Sequence, residues 1–151
     1  MPYISNTCRT AYDDIINEML DETDNQMFYN AKYKSMLIAY LNSVPPQSQD
    51  SQLNYFLTKL FKKLNHLQMK VDCAKLRQFI IEVVKQVYSP SYFNYERIIG
   101  LLYCCSREYK RKHGRQAFLV ENFVDTLIDK VWNELLVPYE IKKEQENGDI
   151  V

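Results

Sequence analysis

The chain has 151 residues, and its 19 lysine and arginine residues balance its 19 aspartate and glutamate residues. That length is typical of one domain large enough to bury its own core. The balanced charge gives no net field that favours nucleic acid or an anionic membrane, although a local cluster could still bind phosphate. With only three glycines and five prolines, the composition argues against a turn-rich all-β fold and predicts an all-α protein.

Apolar residues at helical spacing predict three amphipathic helices in the first half of the chain, over residues 8–22, 28–43 and about 51–67. Before the third helix, "VPPQSQDSQ" is predicted to be a solvated loop, because proline cannot continue a helix. The third helix carries an unusually wide apolar stripe, and we expect its surplus to line a groove. The stripe consists of Leu53, Phe56, Leu57, Leu60, Phe61, Leu64 and Leu67.

Two further helices are predicted after residue 70. The first covers 73–88, and Asp72 can serve as its N-cap. The second has Asn94 as its predicted N-cap, runs to about residue 112 and stops at Gly114, which suits a left-handed cap. Because residues 94–105 form the most apolar element of the chain, this second helix is predicted to lie in the middle of a helical bundle.

The last predicted helix covers about 115–136, and Pro138 is expected to limit it because proline has no backbone N–H. The residues after it, 139–151, form a polar tail, of which 142–151 are expected to fray. No secretory signal opens the chain, and no apolar stretch reaches the roughly 18 residues needed to span a bilayer. We therefore expect a cytosolic protein with reduced thiols and without a membrane anchor.

The polar residues show no pattern typical of catalysis or metal binding. His66 and His113 lack partners at defined spacing, and the chain contains no G-x-S-x-G, glycine-rich phosphate loop or H-E-x-x-H motif. The four cysteines show no metal-ligand spacing; the adjacent Cys104 and Cys105 point to different sides of a helix, and Cys8 is the candidate for linking two chains. The sequence therefore predicts neither an enzyme nor a cofactor or metal site.

Two features leave alternatives open. The basic run at 107–112 is typical of a solvated helix end, but it is also compatible with a nucleic-acid patch. Cys104 and Cys105 are typical of small buried hydrophobic residues, but they are also compatible with reactive thiols. In both cases the structural interpretation is the commoner one, so no nucleic-acid partner is predicted.

The stretch "NYERII" resembles the first homology segment of the Bcl-2 family, which reads Asn-Trp-Gly-Arg before an apolar run. Asn94, Tyr95, Glu96 and Arg97 take those four places. The order of the predicted helices on either side is similar to that of the family over residues 28–138. The resemblance implies an all-α, Bcl-2-like bundle with a central apolar helix at about 94–112, preceded by an N-terminal extension at 1–27 and followed by the polar tail at 139–151.

The chain departs from the family pattern at several positions. Glu96 replaces a small glycine, Cys105 and Ser106 replace two paired glycines, and Leu135 stands where the tryptophan of the second homology segment would align. The core of a death-promoting BH3 segment and the hydrophobic C-terminal anchor are not recognisable. Such divergence is similar to that of the Bcl-2 homologues of large DNA viruses such as iridoviruses or poxviruses.

The resemblance implies an anti-apoptotic protein that sequesters the BH3 helix of pro-apoptotic proteins (Bim-like, Bak or Bax) in a surface groove. Arg97 would pair with the aspartate of that helix, and Asn94 could form a hydrogen bond beside it. Gly100 and Cys104, on the same helical face as Arg97, would leave room for the ligand backbone. The apolar anchors of the ligand would be received by Phe56, Leu57, Leu60, Phe61, Leu64, Val83, Val84 and Val87.

Three further expectations accompany this implied function. The negative charge of Glu96 near the acidic residue of the ligand should narrow the range of ligands accepted. The setting would be the cytosol of a host cell, peripheral to mitochondria through partners. An empty groove would also expose apolar area, which favours a homodimer.

Other interpretations remain open at the level of sequence. Arg97 could instead form an intramolecular salt bridge, for instance to Glu121 or to a neighbour of Glu96. A Bcl-2-like fold could also belong to an adapter that inhibits host signalling through another face, because fold does not determine function. A membrane-permeabilising member of the family is a further alternative, although the chain lacks the anchor and the active BH3 core expected of one.

Overall fold

The computed structural model describes residues 6–20 and 31–148. Over these two ranges the chain is helical and contains no β-strand, which confirms the predicted all-α class. Residues 21–22 of the first predicted helix and 28–30 of the second lie outside the described ranges. The helices are α1 (Asn6–Met19), α2 (Ala31–Asn42), α3 (Pro46–His66), α4 (Cys73–Val87), α5 (Tyr92–His113), a 3-10 turn (Gly114–Ala117), α6 (Phe118–Val131), a π-helical turn (Trp132–Leu136) and α7 (Val137–Gly148).

The third helix begins earlier than its prolines suggested. Pro45 is the N-cap residue, with φ −58°, and Pro46 is the first residue of α3. Proline is well suited to that position, because its fixed φ is helical and the first backbone N–H of a helix has no intrahelical partner in any case. The prediction of a loop is therefore wrong from Pro46 onward, and Asp50 lies on a helix.

Side-chain caps fix the starts of α4 and α5. Asp72 accepts a hydrogen bond from the backbone N–H of Lys75 at 3.1 Å, which confirms the predicted cap of α4. In α5 the N-cap is Ser91, whose hydroxyl accepts the N–H of Asn94 at 3.0 Å, so the prediction of Asn94 as the cap is wrong. Gly114 ends α5 as predicted, but its backbone, at φ +58° and ψ −129°, lies outside the left-handed helical conformation of the predicted cap, in a region that only glycine adopts without strain.

Pro138 does not end the last helical segment. Helical structure continues from α6 through the π-helical turn into α7 and reaches Gly148. A proline inside a helix removes one hydrogen bond and crowds the preceding turn. Here the preceding turn is widened, and the N–H of Val137 donates to the carbonyl of Trp132, five residues back. The predicted end at Pro138 is therefore wrong, and residues 142–148 of the tail that was expected to fray are helical.

The core is organised around α3 rather than α5. Helix α3 packs against α1, α2, α5 and α6, and its whole apolar stripe is buried. Helix α5 is instead one-sided: Ile98 and Leu102 are buried, whereas Gly100, Tyr103 and Cys104 are exposed. The prediction of an enclosed central helix at 94–112 is therefore wrong.

Helix α1 belongs to this same core. Its residues Tyr12, Ile15 and Ile16 are at most 2% exposed, and the helix packs against α2 and α3. The segment predicted as an N-terminal extension therefore contributes a full layer of packing to the domain.

Candidate functional site

The residues predicted to bind a ligand fall into three environments. The apolar residues of α3 and α4 that were predicted to receive the ligand are deep in the core, and none of them is more than 2% exposed. They are Phe56, Leu57, Leu60, Phe61, Leu64, Val83 and Val84. The packing of α3 covers its whole stripe, so the expected surplus is not at the surface. A ligand would reach these side chains only if the helices that cover them, such as α2 and α6, moved away.

Three other predicted residues meet at one cleft. Val87 at the end of α4 and Asn94 and Arg97 at the start of α5 are half-buried. They line a cleft of about 700 Å³, which the first turn of α3 closes on the other side with Pro46 and Asp50. The end of α4 and the start of α5, which were predicted to contribute to one site, thus lie side by side at this cleft.

The two remaining predicted residues, Gly100 and Cys104, continue from Arg97 along the outer face of α5. Both are exposed. A Cβ atom added to Gly100 would meet nothing within 4 Å. The surface that follows Arg97 along α5 is therefore open at these two positions.

Arg97 makes a two-pronged ion pair with Asp50 of α3. Its Nε donates to Oδ2 at 2.8 Å and its Nη2 donates to Oδ1 at 2.7 Å. Such parallel hydrogen bonds match the planar guanidinium to the planar carboxylate and are among the strongest that side chains make. The side chains are 33% and 36% exposed, so the pair lies at the mouth of the cleft rather than in the core.

Aromatic residues complete the surroundings of Arg97. The hydroxyl of Tyr88 donates to Oδ1 of Asp50 at 3.0 Å. The guanidinium carbon of Arg97 lies 5.2 Å from the ring centroid of Phe93 and 5.9 Å from that of Tyr88, within range of a cation–π attraction. Phe93 is 68% exposed, so it forms an apolar rim beside the charged pair.

The electrostatics of the cluster favour its present protonation states. The hydrogen bond with Asp50 raises the pKa of Arg97 above its ordinary value, although burial opposes this. Burial, followed by the charge of Asp50, raises the pKa of the Tyr88 hydroxyl well above its ordinary value. Tyr88 therefore remains a hydrogen-bond donor throughout the physiological range.

Sequence reasoning missed Asp50 and Tyr88. The intramolecular partner expected for Arg97 was Glu121 or a neighbour of Glu96, but Glu121 lies near Lys110 instead, at 3.5 Å. The sequence feature that could have located Asp50 is the proline pair at 45 and 46. If α3 begins at Pro46, Asp50 lies three residues before Leu53, at the edge of the buried face of the helix.

The seam between α3 and α5 continues with a second polar contact. The Sγ of Cys105 donates to Oδ1 of Asn54 at 2.6 Å, and burial raises the pKa of that thiol to about 12. Cys105 is therefore a structural residue, whereas Cys104 is exposed. The prediction that the two thiols point to different sides of a helix is confirmed.

Within residues 6–20 and 31–148, no group of three or more histidine, cysteine and acidic side chains could hold a metal ion. In the same ranges, no helix combines the length and the apolar character that crossing a bilayer requires. His113 stacks on the ring of Tyr109, with centroids 4.2 Å apart.

Comparison with known proteins identifies a family. The family model described as a domain of unknown function, DUF6899, matches residues 1–150, so the chain belongs to that family. No curated protein and no solved structure matches the chain. The Bcl-2 resemblance therefore has no counterpart in these comparisons and stays a prediction.

Proposed function

We propose that this member of the DUF6899 family is a Bcl-2-like, anti-apoptotic binding protein that sequesters a BH3 helix in the cytosol, with Arg97 as the polar anchor. The observation that carries the proposal is the ion pair at the mouth of the cleft. Arg97 already presents two parallel N–H groups to a carboxylate, in a half-exposed position that an incoming aspartate can reach.

In this mechanism Asp50 occupies the place that the aspartate of the ligand would take. Exchange of one carboxylate for another conserves both hydrogen bonds of Arg97, so the cost of opening the internal pair is offset by the new pair. Tyr88 donates to Asp50 at 3.0 Å and would keep that carboxylate solvated or hydrogen-bonded after it leaves Arg97. The exchange is therefore close to neutral, and the affinity must come from apolar contacts.

The apolar contacts require a conformational change. The apolar residues predicted from α3 and α4 to receive the ligand are buried, so the free protein is in a closed state and the ligand helix would have to displace the helices that cover them, such as α2 and α6. Burying four ligand side chains would contribute roughly 6–12 kcal/mol gross. Ordering the peptide costs about 2–5 kcal/mol. Binding then remains favourable only for ligands that fill all the anchor positions.

The outer face of α5 supports the same geometry. Gly100 and Cys104 leave open space after Arg97, where the backbone of a docked helix could lie close to α5. Glu96, also exposed, would place a negative charge beside the acidic residue of the ligand. This like-charge contact is the reason to expect narrow selectivity.

The test is calorimetric titration of the full chain with a panel of BH3 peptides. We expect one or a few peptides to bind. In an Asp50→Asn background, where no internal carboxylate competes for Arg97, Arg97→Ala should weaken that binding by at least about tenfold, since a charged hydrogen bond contributes about 1.5–3 kcal/mol. Asp50→Asn should strengthen binding because it removes the internal competitor. The matched control is Lys34→Ala, which breaks another half-exposed ion pair between helices, Lys34–Glu82 at 2.9 Å, outside the cleft.

A second candidate function is favoured by the closed state itself. Because the predicted anchors are buried, the fold could serve an adapter that acts through another face. If no peptide binds to the native chain or to Asp50→Asn, the groove mechanism is refuted and the adapter becomes the better proposal. Equal weakening by Arg97→Ala and Lys34→Ala would also count against Arg97 as a specific anchor.

A further inference from the structure

A second surface stands out at the opposite end of α5, where the chain turns into α6. We call residues 107–121 the corner. Phe118 is 63% exposed and Leu119 is 43% exposed, whereas their neighbours Ala117 and Val120 are fully buried. The corner thus holds its backbone in place with two buried residues and presents two large apolar side chains to solvent, which is costly unless a partner covers them.

The corner also concentrates positive charge. Five exposed cations lie in it against two carboxylates, Glu108 and Glu121, which leaves a local excess of three positive charges in a chain whose net charge is zero. None of the ion pairs among the described residues involves Arg107 or Arg115. The five cations are Arg107, Lys110, Arg111, Lys112 and Arg115.

The cations and the apolar pair are neighbours in space. Lys110 Nζ lies 3.5 Å from Oε1 of Glu121, which joins the last turns of α5 to the first turn of α6. Glu121 follows Phe118 by three residues, so the two side chains share a face of α6 one turn apart. Gly114, at φ +58°, makes the sharp turn that brings the two helix ends together.

From this juxtaposition we propose that the corner docks on an anionic lipid surface, with Phe118 and Leu119 inserted among the acyl chains and the five cations over the phosphate headgroups. Such a surface offers both halves of the match: negative charge at the headgroups and apolar depth just below them. A single-stranded nucleic acid would match the cations and could stack a base on Phe118, but it offers nothing to the exposed Leu119. The docking is peripheral and does not depend on the proposed BH3 groove.

The test uses the full chain with vesicles of phosphatidylcholine alone or mixed with phosphatidylserine. A Phe118→Trp, Trp132→Phe variant places the single tryptophan at the corner. We expect its emission to shift to shorter wavelength with the mixed vesicles and not with phosphatidylcholine alone. In the native chain Trp132, in the π-helical turn outside the corner, should show no shift, which controls for nonspecific adsorption.

Sedimentation with the same vesicles measures the two contributions separately. Reversal of two charges, Arg107→Glu with Arg111→Glu, should weaken binding by at least about 30-fold, and Phe118→Ser with Leu119→Ser by at least about tenfold. The matched control, Trp132→Ser, removes an aromatic side chain of comparable exposure (49%) and should leave binding unchanged. All these positions are exposed, so circular dichroism should show native helix content throughout.

Three results would overturn the inference. The first is failure of the native chain to sediment with the mixed vesicles. The second is binding without any shift in the emission of Phe118→Trp, which would make the contact purely electrostatic. The third is retention of a DNA duplex through the same cations with no effect of the serine variants, which would assign the corner to nucleic acid.

Discussion

The two halves of α5 hold arginine in contrasting ways. In the first half, Arg97 is bound to Asp50 from α3, and the same carboxylate accepts a hydrogen bond from Tyr88, just after α4. In the second half, Arg111 pairs with Glu108, three residues earlier in the same helix. The first pair is 33% and 36% exposed, and the second is 70% and 51% exposed.

This contrast separates two uses of charge. A pair between helices restricts their relative position and is partly shielded from water, so it contributes to stability and has a defined geometry. A pair within one turn of an exposed helix is screened by solvent and contributes little. Its cation is thus available to an external anion at small cost. The cleft and the corner are expected to respond differently to the same kind of substitution.

The largest expected difference lies midway along α5, between two adjacent thiols. Cys105 is 5% exposed and donates to Asn54, whereas Cys104 is exposed. In a Cys105→Ser variant, Cys104 should react with a thiol reagent at least about 100-fold faster than Cys105 does in a Cys104→Ser variant, because a buried thiol reacts only through local opening. Mass spectrometry of the peptide that spans both positions gives the two rates.

In urea that unfolds the chain, the two thiols should react at similar rates. Comparable rates in the folded protein would mean that the seam between α3 and α5 opens readily, and the first half of α5 would then be no more firmly held than the second.

The next largest effect concerns stability. Arg97→Ala should lower the free energy of unfolding by about 1–2 kcal/mol, since it leaves Asp50 and Tyr88 without their cation in a partly exposed site. Arg111→Ala should leave the urea midpoint unchanged because its pair is largely exposed and screened by solvent. Arg97→Lys should restore part of the loss, as lysine keeps the charge but cannot make two parallel hydrogen bonds. Equal shifts for Arg97→Ala and Arg111→Ala would remove the distinction between the two halves.

How far the sequence predicts the fold depends on whether a signal is local. The cap at Asp72 and the end of α5 at Gly114 are local signals, because each depends on one residue and a few backbone groups, and both positions are confirmed. The equally local prediction of Asn94 as a cap is wrong, because Ser91, three residues earlier, takes that role. The apolar stripe of α3 is also local and is correctly identified. The prolines at 46 and 138 predict interruptions of helical structure, yet one begins a helix and the other is accommodated by a widened turn. Composition alone does not distinguish these outcomes.

Long-range features were less accessible. The apolar run in α5 suggested an enclosed helix, but Gly100, Tyr103 and Cys104 interrupt it on one face and leave that face exposed. At the cleft, the sequence identified Asn94 and Arg97, which the helix order places near Val87. It could not identify Asp50 as the partner of Arg97, because that contact joins residues 47 positions apart and depends on how α3 and α5 pack. The sequence thus predicts only part of the candidate site. It identifies the residues that α5 contributes, but not Asp50, the carboxylate that is bound to Arg97.

The smallest expected effect is on the pH dependence of stability. Burial raises the pKa of Tyr88 above its ordinary value of 10.0, so below pH 10 the phenol is protonated in both the folded and the unfolded chain and stability is unaffected. Above pH 10 the unfolded chain releases this proton while the folded chain retains it, so the unfolded state binds fewer protons and the free energy of unfolding falls as pH rises. Tyr88→Phe should make that fall shallower by up to about 1.4 kcal/mol per pH unit.

Urea unfolding between pH 9 and pH 11 measures this slope. Tyr88→Phe also loses its hydrogen bond to Asp50 and should be less stable by about 1 kcal/mol at neutral pH. The matched control, Val83→Ala, is a buried apolar deletion in α4, which lowers stability without removing a titrating group, so its slope should equal that of the native chain. If Tyr88→Phe keeps the native slope, the pKa of Tyr88 is not raised in the folded chain. The contact between Tyr88 and Asp50 then no longer distinguishes the surroundings of Arg97 from the corner.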